Sequence, residues 1–203
     1  MAGGLLRRGF SSGMVRAMLA RTLVVLFLVA GFAAGAEPLP PAAAMTEAQL
    51  AQRADLFAEL AASKDDAQAR AVEEKIWTFW RSFADAESQV LLAQARAAQL
   101  RFDYDEALLY LKEVVRRQPD FAEGWNQLGF NYFLTNRYDE SLAAIEHVIA
   151  LEPMHYAALA GKGIILIQQG KEDEAQAPLK RALAIDPWLK ERNLIGKTPE
   201  PRP

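Results

Sequence analysis

The chain has 203 residues, 51% of them hydrophobic, with 23 Lys and Arg against 26 Asp and Glu and a formal net charge of −3. That is enough for one domain or a short array with a buried core. It has no cysteine, which excludes disulfides, thiolate metal sites, a cysteine nucleophile and a lipidated cysteine.

Residues 1–36 read as an export signal. Arg7, Arg8, Arg16 and Arg21 precede an apolar run over 22–33, and Ala34-Gly35-Ala36 offers a small-x-small cleavage site. The run is shorter than the roughly 20 residues a spanning helix needs. The expectation is a cleaved signal and a periplasmic or exported protein; the alternative is an inner-membrane anchor formed by residues 22–36. Without 1–36 there remain 19 basic against 26 acidic residues, a net −7. That balance argues against a nucleic-acid partner and against docking on anionic lipid. Membrane contact is then expected only through an uncleaved signal segment.

Residues 37–45, with Pro38, Pro40 and Pro41, read as an extended linker. Thr46-Glu47-Ala48-Gln49 has the spacing of a capping box. A helix runs from there to about residue 62, with Leu50, Leu56, Phe57 and Leu60 as its apolar stripe. A second helix over 67–82 carries Ile76, Trp80 and Phe83, flanked by Trp77 and Phe79. Trp77 and Trp80 read as packing residues; Asp65, Asp66, Glu73 and Glu74 read as solvated helix ends. The stretch 46–87 does not fit the 34-residue register of the chain beyond residue 88, so it reads as an amino-terminal cap or a degenerate repeat.

From residue 88 the chain repeats. Pro119, Pro153 and Pro187 stand 34 residues apart. The central unit, 122–155, carries Trp125, Leu128, Gly129, Tyr132, Tyr138, Ser141 and Ile145 ahead of its proline. The unit before it, 88–121, places Leu91, Ala95, Ala98, Tyr104, Ala107, Leu111 and Val114 in the same register. The unit after it, 156–189, places Leu159, Gly163, Leu166, Ala175, Leu179 and Ala182 there, with Lys162 where Leu is usual. The small residues let two helices approach closely and the bulky ones fill the space between. Proline ends each second helix, because it lacks an N–H and disfavours helix before it. The pattern W-x2-L-G-x2-Y on a 34-residue period resembles the tetratricopeptide repeat (TPR). With Ile76-Trp77-Thr78-Phe79-Trp80, the whole pattern resembles exported bacterial proteins of that family.

The resemblance implies an all-α fold: a right-handed TPR superhelix, an α-solenoid of antiparallel helix pairs. Here it would have an atypical N-terminal helical pair and a short C-terminal capping helix of about two turns, with Trp188, Leu189 and Ile195 covering the last pair. Residues 197–203, with three prolines, read as a disordered tail.

No catalytic constellation is visible. His147 and His155 are the only histidines, and neither has a His or Cys four residues on, so a zinc site lacks ligands. Gly161-Lys162-Gly163 lacks the flanking pattern of a phosphate loop. No enzyme activity, cofactor or metal is expected. The resemblance implies a concave groove lined by the first helices. Carried over, its residues are Leu92, Arg96 and Gln99, then Glu123, Asn126, Phe130, Phe133 and Leu134, then Ala160, Ile164, Ile167 and Gln168. The family's carboxylate clamp needs Lys and Asn where this chain has Leu92/Arg96, Asn126/Phe130 and Ala160/Ile164, so that ligand class is not expected. What remains is an apolar floor suited to an amphipathic helix or an extended peptide. The expectation is a non-catalytic adaptor or scaffold with a protein or peptide ligand. The alternatives are a self-assembling solenoid forming homo-oligomers, and a groove covered by the chain's own linker, its tail or a second copy.

Overall fold

The computed structural model describes residues 45–196. The export signal, nearly all of the linker and the tail expected over 197–203 therefore lie outside the described residues. Among the described residues eight α-helices succeed one another in pairs: α1 (Glu47–Ala61) with α2 (Asp66–Arg81), α3 (Ala86–Leu100) with α4 (Tyr104–Arg117), α5 (Ala122–Leu134) with α6 (Tyr138–Leu151), and α7 (Tyr156–Gln168) with α8 (Glu172–Ile185). A 3-10 turn, Lys190–Leu194, comes last. No strand occurs among the described residues, and the fold is an all-α solenoid.

Local chemistry sets the boundaries. The Thr46 hydroxyl accepts the N–H of Gln49 at 3.2 Å, and the Gln49 side chain accepts the N–H of Thr46 at 2.8 Å, a complete capping box. Asp65 and Asp85 cap α2 and α3 in the same way through the N–H groups of Gln68 and Ser88. Within each repeat the turn between helices passes through one left-handed residue: Phe102, Asn136 and Gly170, with φ of 61°, 58° and 73°. These positions are again 34 apart. At the far end of each second helix, Gln118, Glu152 and Asp186 donate their N–H groups to Val114, Val148 and Ala182 at 2.9, 2.7 and 2.8 Å. The proline after each cannot continue the ladder. Inside the pairs the small residues act as expected: the Ser141 hydroxyl donates to the carbonyl of Gly129 at 2.7 Å. A Cβ on Gly163 would lie 2.5 Å from Leu179 Cγ.

The α1–α2 hairpin packs against the ends of the second and third repeats. Phe57, Leu60, Val72, Ile76, Phe79 and Trp80 bury one another together with Tyr156, and Ile185, Trp188 and Leu189 pack against the same cluster. The residue before each repeat proline holds a different part of this segment. The Gln118 side chain donates to Phe83 O at 3.2 Å and accepts the N–H of Asp85 at 2.9 Å. Glu152, 2% exposed, forms a two-pronged ion pair with Arg53 of α1, whose Nε donates at 2.7 Å. Asp186, fully buried, faces Glu73 of α2. Glu73 is therefore no solvated helix end, contrary to the sequence expectation. Burial comes first among the causes that push its carboxyl above the ordinary range, and the charge of Asp186 adds to it. Burial likewise raises Asp186, while the Trp188 N–H, donating at 3.0 Å, pulls it down.

The expected short terminal helix is present as a five-residue 3-10 helix, Lys190–Leu194. Leu194 and Ile195 pack against Leu166, Ala175 and Leu179 of the last repeat. Trp188 turns to the hairpin cluster instead.

Candidate functional site

The floor of the groove begins with a buried polar layer at the start of α5. His155 is fully buried and its Nδ1 accepts the N–H of Ala158 at 3.2 Å, capping α7. The proton therefore sits on Nε2, which points at Glu123 Oε2 at 3.4 Å. The indole of Trp80 lies flat on the imidazole, with centroids 3.9 Å apart and planes 8° from parallel. Glu123 also accepts from the side-chain amides of Asn126 at 3.0 Å and Gln127 at 2.6 Å. One buried carboxylate thus orients two amides on the groove floor, and the hairpin covers it from behind.

Two adjoining cavities open on this floor. The first, about 360 Å³, lies between α3 and α5. Leu92, Arg96 and Gln99 line it from α3, Gln127 and Phe130 from α5, and Arg81 from the end of α2. The second, about 290 Å³, lies between α5 and α7. Asn126, Phe130 and Phe133 face Ile164 across it, and Trp77 of α2 closes one end. Phe130, 50% exposed, forms the ridge between the two.

The residues singled out by sequence divide between cavity and core. Leu92, Arg96, Gln99, Asn126, Phe130, Phe133 and Ile164 line the two cavities. Gln99 also donates to Asn131 at 3.2 Å, tying α3 to α5. Glu123 reaches the first cavity but is 2% exposed and engaged by its neighbours. Ala160 is buried against Leu159 and Ala182, and Ile167 packs against the last-repeat cluster. Leu134 is half-buried and Gln168 is exposed at the end of α7. Sequence reasoning missed Trp77, Arg81 and Gln127. The first two come from a segment outside the repeat register, so no repeat position could nominate them. A signal did exist: Gln118, Glu152 and Asp186, polar or acidic at one repeat position, are the residues that hold that segment. Among the described residues no group of three His, Asp or Glu side chains is placed to hold a metal ion.

Models of the tetratricopeptide repeat match residues 122–155 and 156–187. A TPR repeat-containing protein of Rhizobium etli is 29% identical over 116 residues. That match covers 57% of this chain and 57% of the relative, so the chain spans little more than half of the relative's length. Among solved structures, the first TPR of Spaghetti (RPAP3) bound to an HSP90 peptide superposes with a TM-score of 0.51 at 18% identity, over 53% of this chain and 90% of that one. The Arabidopsis OM64 TPR domain gives 0.51 at 16% identity, over 53% and 93%. The TPR2B domain of yeast Sti1, in its pHsp70 complex, gives 0.51 at 17% identity, over 54% and 91%. At these identities the likeness is one of fold.

Proposed function

The chain is a tetratricopeptide repeat protein, and from that premise we propose that it is a non-catalytic adaptor that binds a protein or peptide segment in the groove between α3, α5 and α7, in the periplasm or an equivalent exported location. The observation that carries this reading is Phe130. A phenylalanine half exposed on a ridge between two apolar-floored cavities leaves apolar area in water that a partner would cover. The groove has the dimensions of a binding cleft and its amides are already oriented by Glu123. Solved relatives in fold carry peptides, as the HSP90 peptide complex does. The export reading rests on residues 1–36.

Phe130→Glu should abolish partner capture from the producing cells while leaving helicity unchanged, since the side chain is not part of the buried core. Site-specific photo-crosslinking from position 130, with the exposed Glu140 as control, reads this directly. Capture by the Glu variant equal to that of the parent would sink the proposal. A self-adduct would favour an assembling solenoid instead.

A further inference from the structure

If the groove binds a segment, as proposed above, its charged lining restricts which kind it accepts. The arginines of the described chain are mostly neutralised. Arg53, Arg70, Arg101, Arg116, Arg117 and Arg137 each pair with a carboxylate. Arg181 and Arg192 donate to the backbone carbonyls of Pro153 and Trp188. Arg81 and Arg96 differ: neither has a carboxylate partner among the described residues, and both line the first cavity. Arg81 donates only to the Thr78 hydroxyl of its own helix, at 3.3 Å. The one acid at that cavity, Glu123, already accepts from Asn126, Gln127 and His155, so its oxygens are turned to other donors. In a chain that is acidic as a whole, two cations from different elements converge beside Leu92, Leu100 and Phe130. The neighbouring cavity has no charged lining residue: Trp77, Phe133 and Ile164 shape it.

We propose that the groove selects an extended peptide segment in which an acidic side chain lies next to a bulky apolar one, the acid held between Arg81 and Arg96 and the apolar side chain seated between Trp77, Phe130 and Ile164. Charge complementarity fixes the sign of the partner, because guanidinium groups offer forked donors to a carboxylate. The adjoining cavity fixes the neighbour, because its lining offers apolar area and few polar contacts. Arg81 belongs to the hairpin, so the specificity determinant is built jointly by the repeats and by the segment docked beside them.

The test is selection of random dodecamers, displayed inside a carrier protein so that no free carboxyl terminus is present, on the purified full chain. The expected result is enrichment of Asp or Glu beside Leu, Ile, Phe or Trp. In the Arg81→Glu, Arg96→Glu double variant the acidic preference should vanish or turn basic, with the circular dichroism unchanged because both side chains are exposed. A synthetic peptide of the enriched sequence should bind about tenfold more weakly when its acid is replaced by the amide, and equally well with its carboxyl terminus free or amidated. Enrichment without an acidic preference overturns this inference and leaves the groove reading standing. Enrichment unaffected by Phe130→Glu overturns the groove reading itself. Recovery of no peptide overturns both, and dependence on a free terminal carboxylate overturns the assignment to a side-chain acid.

Discussion

Phe102 occupies the left-handed position that Asn136 and Gly170 hold in the next two repeats. A bulky residue there is disfavoured by contact of its Cβ with the backbone, by roughly 1–2 kcal/mol, and the ring is 79% exposed, so little packing offsets the strain. Phe102→Gly should therefore raise the unfolding free energy by about 1 kcal/mol in urea titrations monitored by far-UV circular dichroism. A lower midpoint would show that the ring, which meets Tyr104 at 6.4 Å, contributes more than the strain removes. Glycines test the opposite case. At Gly163 a Cβ would lie 2.5 and 2.7 Å from two Leu179 carbons, with the Ala175 carbonyl at 3.3 Å. Leu179 is fully buried and cannot swing away. Gly163→Ala should cost about 1–3 kcal/mol through overpacking. At Gly161 the nearest atom is Ile145 Cδ1 at 3.5 Å, an ordinary contact, so Gly161→Ala should be neutral or gain up to about 1 kcal/mol from helix propensity. The same titration orders the two, and equal midpoints would contradict the packing argument.

At the scale of elements, the α1–α2 hairpin is the part whose place could not be read from the sequence. The Thr46 box and the apolar stripe located the first helix, and the spacing of Ile76 and Trp80 the second, to within a residue or two, because helix formation answers to local chemistry; the Asp65 cap of the second helix was not read from the sequence. Where an out-of-register pair docks depends on contacts across about 100 residues, such as Arg53 with Glu152; the polar repeat position marks one side of that contact, and the sequence does not name its partner. The groove shows the same division. Repeat positions nominated Arg96, Asn126, Phe130 and Ile164, all of which line the cavities, while Trp77 and Arg81 depended on the docking. That docking should be proton-linked. Glu73 and Asp186 face each other with carboxyls held above the usual range. Arg70 and Asp66 act on Glu73, Glu191 acts on Asp186, and the Tyr156 hydroxyl lies buried beside them. The unfolded chain loses these protons first, near its ordinary pKa of about 4. Stability from this pair is thus fully present below that pH and is lost as pH rises through the raised folded values. Asp186→Asn keeps an oxygen to accept the Trp188 N–H and removes one charge. It should flatten the fall in unfolding midpoint between about pH 4 and pH 8 relative to the parent. The lowered carboxyls of Asp85, Glu113 and Glu140 act in the opposite sense but are exposed and common to both proteins. Parallel pH profiles would contradict the linkage.

For the whole molecule, the hairpin matters because a repeat array is held together only by nearest neighbours. Each repeat here touches the next through adjacent helices, α4 with α5 and α6 with α7. The hairpin adds contacts that skip along the array: Arg53 with Glu152 at the end of the second repeat and Glu73 with Asp186 at the end of the third, with Tyr156, Trp188 and Leu189 in its core. An element that holds the ends of two repeats couples their unfolding, so the parent should lose its helical and tryptophan signals in one transition. Trp80 is the centre of that coupling, 3% exposed, stacked on His155 and edge-on to Trp77 at 5.2 Å. Trp80→Ala should cost about 3–5 kcal/mol, nearly all of it in docking. Three of the four tryptophans, Trp77, Trp80 and Trp188, belong to this interface, while Trp125 stacks separately on His147. In the variant the fluorescence of Trp77 and Trp188 should therefore change at a lower urea concentration than the far-UV helix signal, splitting one transition into two. Coincident transitions at the parent midpoint would show that the hairpin is carried by the array without binding it together. Undocking also withdraws Trp77 and Arg81 from the groove, so peptide capture in the variant should fall at urea concentrations that leave the repeats helical. Loss of binding ahead of loss of helix would tie the proposed recognition site to the same contact that makes the array one cooperative body.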